Sequence, residues 1–172
     1  MLTHLTIRNL AITESLSIEF KSGMSAITGE TGAGKSILMD GLGYVLGNRA
    51  DSGLVRQGSE RAEIIAEFDV KNIASARQWL ESQDLSEGSE CILRRTITRE
   101  GRSRATINGQ PVPLQQIKQL NRNTNVIMYS SQEQYGVAVQ TIGKGALQYV
   151  IKDQSAFAKI KAIFFSSLLA IL

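Results

Sequence analysis

Residues 29 to 36 read Gly-Glu-Thr-Gly-Ala-Gly-Lys-Ser, a match at every fixed position to the pattern G-x-x-x-x-G-K-[ST]. That spacing serves one kind of chemistry, the cradling of a phosphate chain. Gly29, Gly32 and Gly34 let the main chain curl around an anion with no Cβ in the way. Backbone N–H groups along such a curl, with the positive end of the following helix, form an anion site. Lys35 is then placed to reach the β- and γ-phosphates of a nucleoside triphosphate, and the Ser36 hydroxyl to ligate Mg²⁺. The candidate ATP–Mg²⁺ site is therefore Gly29, Glu30, Thr31, Gly32, Ala33, Gly34, Lys35 and Ser36. A glycine-rich turn that binds nothing has no need of the adjacent Lys-Ser pair.

The loop works only if a strand feeds it and a helix leaves it, and the flanks fit. Met24 to Thr28 is a short apolar run, and Ile37-Leu38-Met39 opens a helical pattern over residues 35 to about 46. Two period-two segments precede the loop, Leu5 and Ile7 in one, Leu16, Ile18 and Phe20 in the other, each a strand with one buried face. A polar loop runs from Gly47 through Gly58, and Ala62, Ile64, Ala66 and Phe68 mark a further strand. Residues 74 to 82 read as a helix around Trp79 and Leu80, and Glu90 to Thr98 as a strand returning through Arg104 to Ile107. Asn108-Gly109 is a hairpin turn. Pro111 and Pro113 break the chain before a helical stretch from Leu114 to Leu120.

Composition leaves room for ordinary globular folding: 172 residues, 42% hydrophobic, 20% charged, net charge +3. One cysteine, Cys91, excludes an internal disulfide and suits a reducing compartment. Its place in an alternating run predicts a buried strand thiol. A single histidine, His4, excludes a His-based metal cluster. No basic segment followed by an apolar one marks a secretory signal, so the expected location is the cytoplasm. Asp69, at the end of the Ile64–Phe68 run, reads as a surface acid rather than a metal ligand, because Glu67 interrupts the run. Residues 94 to 104 hold Arg94, Arg95, Arg99, Arg102 and Arg104 against the single acid Glu100. Arg99, Arg102 and Arg104 are the candidate DNA contacts of this hairpin; a solvated face that protects an edge strand is the alternative.

With those residues set out, the first 120 or so resemble the N-terminal head segment of the RecN family of bacterial DNA repair proteins, SMC-like ATPases with an ABC-type head. The resemblance is carried by Leu5-Thr6-Ile7-Arg8-Asn9-Leu10-Ala11-Ile12, the run Gly23-Met24 through Gly34-Lys35-Ser36-Ile37, and Leu46-Gly47-Asn48-Arg49-Ala50. Val55-Arg56-Gln57-Gly58 and Ile107-Asn108-Gly109-Gln110-Pro111-Val112 extend it. It implies an α/β P-loop NTPase fold: a partial head with a mixed sheet carrying the nucleotide and an antiparallel subdomain against it. It also implies ATP with Mg²⁺ as cofactor, head–head pairing or a complementing C-terminal half as partner, and service in recombinational repair of broken DNA. In the family a coiled coil separates this segment from the signature motif and the catalytic carboxylate, so no catalytic residue is assigned here and hydrolysis by the chain alone is not expected. Family heads also place a glutamine near Mg²⁺ and the γ-phosphate after a strand. Val126 to Tyr129 followed by Gln132 makes Gln132 the second candidate metal ligand.

From about Thr124 to Ile163 the sequence resembles the last third of a response-regulator receiver domain, through Val126-Ile127-Met128-Tyr129-Ser130 and Lys144 to Lys152. That likeness implies a β-α-β-α tail with phosphoryl contacts at Ser130 and Lys152 and a switching aromatic at Tyr149. The phosphorylated aspartate and acidic pair of receivers have no counterpart, so phosphorelay is not expected. The apolar end, Ala162 to Leu172, is too short as a helix to cross a bilayer and is expected to pack. The organisation read from sequence is thus an ATP-binding head part over 1–120 and a divergent tail over 121–172. The alternatives are an inactive rearrangement product, or an interaction and signalling module using the tail.

Overall fold

A computed structural model describes residues 1–21, 33–122, 126–130 and 146–151, with side chains described for 1–21 and 36–121. The chain divides into a unit of Met1–Asn123 and a unit of Thr124–Leu172.

The first unit is built on β1 (Leu2–Leu10), β2 (Thr13–Glu19), β3 (Arg61–Asp69), β4 (Glu90–Thr98), β5 (Ser103–Ile107) and β6 (Gln110–Val112). They form one sheet in the order β2-β1-β3-β4-β5-β6, every neighbouring pair antiparallel. Register makes the alternation in the sequence into two faces. Leu5 lies opposite Ala66, Ile7 opposite Ile64, Ala66 opposite Leu93 and Leu93 opposite Ile107, and all of these are buried. The other face carries Thr6, Arg8, Ser17, Glu63, Arg94, Thr96 and Arg104.

Among the described residues three α-helices accompany the sheet: α1 (Ala33–Val45), α2 (Ala74–Ser82) and α3 (Leu114–Arg122). Helix α1 lies against β1, β3 and β4, and α3 against β5 and α2. They complete one core through Ile37, Leu38 and Val45, through Ala76 and Leu80, and through Ile117 and Leu120. Each large aliphatic side chain removed from water in this way stabilises by about 1.5–3 kcal/mol. Gly47, at φ 107°, ends α1 in a backbone conformation that a Cβ would strain. The loop that follows contains a single 3-10 turn, Ser52–Leu54, capped by Asp51 accepting from the Gly53 N–H at 2.9 Å.

Within the described residues of the first unit the expected strands and helices are found with their ends shifted by a few residues, and β6 and the 3-10 turn are new; the strand expected at Met24 to Thr28 and the helices expected in the tail lie outside the described residues. Pro111 does not end the ordered chain: it sits inside β6, opposite Thr106. A proline is tolerated there because β6 is the edge of the sheet among the described residues, with no further strand there to ask for its missing N–H. Asn108 (φ 48°) and Gly109 (φ 77°) make the tight turn that brings β6 back on β5.

In the second unit β7 (Val126–Ser130) and β8 (Ala146–Ile151) pair in parallel, Ile127 with Gln148 and Ser130 with Ile151.

Candidate nucleotide site

Helix α1 begins at Ala33, inside the glycine-rich run rather than after it. Gly34, Lys35 and Ser36 therefore belong to its first turn. The N–H groups of a first turn have no carbonyl partner within the helix and carry its positive end, which is what an anion needs. No acidic residue in that turn neutralises it. Ser36 is exposed while Ile37 and Leu38, the next two residues, are buried, so the packing of α1 turns the serine away from the core. Gly29, Glu30, Thr31 and Gly32 lie outside the described residues, as do the side chains of Ala33, Gly34 and Lys35 and the whole of Gln132.

The seat of α1 depends on close approach. A Cβ on Gly41 would stand 2.5 Å from Ile7 Cδ1, 3.2 Å from Ile7 Cγ1 and 3.7 Å from Leu10 Cδ2. Ile7 and Leu10 are fully buried in β1, so the helix rests on the strand at a distance only glycine allows. Further along α1, desolvation pushes the Asp40 carboxyl above the ordinary carboxylate range. The Tyr44 phenol is raised by burial first and by Asp40 and Asp51 after it. Asn9 and Ala11 adopt positive φ (52° and 51°) where β1 turns into β2, and the loop after α1 is tied to that turn. Ala11 N–H donates to Leu54 O at 2.7 Å and Arg56 N–H to Asn9 O at 2.9 Å.

The arginines read as one hairpin cluster do not share one environment. Arg99, Arg102 and Arg104 are exposed, and Arg102 Nε lies 3.7 Å from Glu100. Arg94 Nε donates to Glu63 Oε1 at 2.8 Å, with Arg94 Nη2 on the same oxygen. Arg95, by contrast, is 4% exposed and on the core face, opposite Ile64 and Ala105, where burial lowers its pKa. The reason is the strand period: Arg95 falls between Leu93 and Ile97, on their side of β4. Asp69 is an exposed acid whose carboxylate accepts the Lys71 N–H at 2.8 Å. Cys91 is buried, and desolvation pushes its thiol up to about 12. His4 is half-exposed, 3.5 Å from Glu67.

Sequence reasoning missed Glu63, a buried carboxylate reached by Arg94 and by Arg8 Nη1 at 3.7 Å. Its partners lie on β1 and β4, and only the pairing of three strands brings them together. Among the described residues no cluster of His, Cys, Asp and Glu is arranged to hold a metal, and no helix is long and apolar enough to cross a membrane.

A family model described as an AAA domain matches residues 4–166. DNA repair protein RecN of Vibrio cholerae is 56% identical over 122 residues, which is 71% of this chain and 22% of the relative. RecN of Xylella fastidiosa is 44% identical over 156 residues, 91% of this chain and 27% of the relative. The chain thus spans about a quarter of the length of these curated relatives. A solved structure from work on ATP-driven dimerization and DNA-stimulated activation of SMC ATPases superimposes with a TM-score of 0.61 at 19% identity, over 83% of this chain and 98% of that one. The fold is that of part of an SMC-like P-loop ATPase head, with an antiparallel-rich sheet. The receiver-like reading of the tail finds no support: the AAA match and the longer RecN likeness both run well past residue 120. Two parallel strands joined by a crossover are common to α/β folds at large, and such a short likeness does not tell one from another.

Proposed function

We propose a function that proceeds from family membership: the chain belongs to the AAA domain family, and its N-terminal region is homologous to DNA repair protein RecN. On this reading the Met1–Asn123 unit is the ATP-binding part of a RecN-like head that serves recombinational DNA repair in the cytoplasm. The observation that supports it best is the start of α1 at Ala33, which turns Gly34, Lys35 and Ser36 into a helix N-terminus free of acid.

The residues fit the nucleotide. Main-chain N–H groups from Gly29 to Ser36 would take the phosphate oxygens, and the Lys35 ammonium would lie along the β- and γ-phosphates. The Ser36 hydroxyl, exposed at the head of α1, is free to ligate Mg²⁺, and Gln132 would approach the same ion. Bound Mg²⁺ would neutralise charge on the phosphates during transfer. Turnover needs a base and a water-positioning group, which the reading places on a paired head or a complementing C-terminal half. Exposed Arg99, Arg102 and Arg104 supply its DNA-facing charge, through phosphate rather than base contacts.

Calorimetric titration of the 172-residue chain with ATP and Mg²⁺ tests the reading. Saturable, Mg²⁺-assisted binding that Lys35→Ala weakens by about tenfold or more is expected, the loss of roughly one charge-assisted contact. Binding of equal strength in the Lys35→Ala protein would refute it.

A further inference from the structure

Magnesium in a nucleotide site keeps several of its waters and is generally held through a carboxylate as well as through the phosphates. Ser36 and Gln132, the candidate metal ligands, are both neutral. Residues 33 to 45 contain a single acid, Asp40, and it comes one helical turn after Ser36. Residues four apart on a helix have Cβ atoms about 5–6 Å from each other, and side chains lean toward the helix N-terminus. The Asp40 carboxylate is thereby carried back toward the turn of Ser36. Both residues are exposed, whereas Ile37, Leu38 and Gly41 are buried on the sheet side, so Ser36 and Asp40 share the opposite face of α1.

Among the described residues Asp40 makes no ion pair and no side-chain hydrogen bond. Desolvation pushes its carboxyl up and no cation acts against it. Tyr44, one turn further on, has its phenol raised by burial first and then by Asp40 and Asp51, so the charge felt along this face of α1 is negative. A carboxylate partly withdrawn from water with no counter-charge is unfavourable, and a cation at its side removes that cost. We propose that Asp40 is a positioning residue for the metal, its carboxylate holding one of the waters retained by a Mg²⁺ that Ser36 ligates. The inference rests on the ATP–Mg²⁺ reading above and adds a carboxylate to the hydroxyl of Ser36.

Calorimetric titration of the full chain with ATP, once with Mg²⁺ and once with EDTA in its place, separates this role from packing. Asp40→Asn keeps the shape of the side chain and removes its charge. Its ATP affinity with Mg²⁺ is expected to fall about tenfold, the lower end for loss of a group that orients a metal's ligands from one shell out. In EDTA its affinity is expected to stay equal or rise, because a negative charge near the triphosphate is gone. Mn²⁺ titrated into the ATP-bound chain and followed by electron paramagnetic resonance should bind the variant more weakly by a similar factor. The melting point of the ligand-free variant should be unchanged or higher, since a desolvated carboxylate has been removed. Tyr44→Phe is expected to leave both affinities unchanged. Equal losses with Mg²⁺ and with EDTA, or a loss reproduced by Tyr44→Phe, would overturn the metal role and make Asp40 a packing residue. An Asp40→Asn protein with the parent's Mg²⁺ dependence would overturn the assignment and keep the ATP reading. No Mg²⁺-assisted ATP binding by the unaltered chain would overturn both.

Discussion

Asn108 should be one of the costliest polar residues to replace. It is 8% exposed, at φ 48° in the β5–β6 turn, and its side chain ties two distant segments. Oδ1 accepts the Ile92 N–H at 2.7 Å, and Nδ2 donates to the Leu85 carbonyl, also at 2.7 Å. Asn108→Ala removes both bonds and leaves a donor and an acceptor without partners, at about 1–3 kcal/mol each. Alanine in a left-handed conformation adds roughly 1 kcal/mol, where asparagine is tolerated. The expected loss is about 4 kcal/mol, a large share of the roughly 5–15 kcal/mol that holds a domain together. In urea denaturation followed by circular dichroism the midpoint should fall by about 2 M for a slope near 2 kcal/mol/M, with the slope itself unchanged. Asn108→Asp provides an internal control. As a carboxylate it keeps the Ile92 bond but faces the Leu85 carbonyl with a charge; protonated, it can donate again. Its stability relative to the parent should therefore recover as pH falls. A loss below about 1 kcal/mol for Asn108→Ala, or no acid recovery for Asn108→Asp, would refute the reasoning.

Gly41→Ala should destabilise by up to about 2 kcal/mol, overpacking of about 1–3 kcal/mol against Ile7 outweighing a gain of about 1 kcal/mol in helix propensity. Adding Ile7→Val, which removes the Cδ1 atom 2.5 Å from the new Cβ, should restore part of that loss; strictly additive effects in the double-mutant cycle would contradict the contact. Glu63→Gln should cost about 1–3 kcal/mol by weakening the Arg94 and Arg8 contacts, and an unchanged denaturation midpoint would count against that pairing. Burial raises the Cys91 thiol from 9.0 to about 12, so the folded state holds it neutral while the unfolded chain ionises. Stability is intact below pH 9 and lost as pH rises toward 12, by about 1.4 kcal/mol per unit. Cys91→Ala should lose that much less per unit between pH 9 and 11, and parallel curves would show the thiol not to be buried as described.

What could be read from the sequence was whatever depends on local spacing. The alternation of Leu5 and Ile7, the helical run from Ala74 to Ser82, the strand from Glu90 to Thr98 and the Asn108-Gly109 turn each follow from a period or a turn residue within a few positions. The glycine-rich pattern is equally local, eight residues in a row, and the start of α1 at Ala33 is the part of it that falls within the described residues. Glu63 was not, because its meaning lies in Arg8, 55 residues earlier, and Arg94, on another strand. Strand β6 was hidden by Pro111, whose effect depends on whether a strand lies beyond it. Arg95 was counted with its neighbours as hairpin charge, although the period placing Leu93 and Ile97 in the core places Arg95 there as well.

That last misreading bears on how the sheet is used. A strand with one buried face puts a charge in the core whenever the period is obeyed at a charged residue, and β4 does so only at Arg95. Leucine or isoleucine would satisfy the same position with no desolvation, so local consistency is broken at one point and kept around it. The break lies between Ile64 and Ala105, in strands whose register is pinned by Ile64, Leu93 and Ile107. A rigid apolar lattice holds that guanidinium in one place, and its side-chain entropy is lost once, in folding. The same lattice, through Ile7 beneath Gly41, seats the helix whose first turn carries Gly34, Lys35 and Ser36. The core thus fixes both features: the start of a helix it supports and a guanidinium enclosed by strands it holds in register.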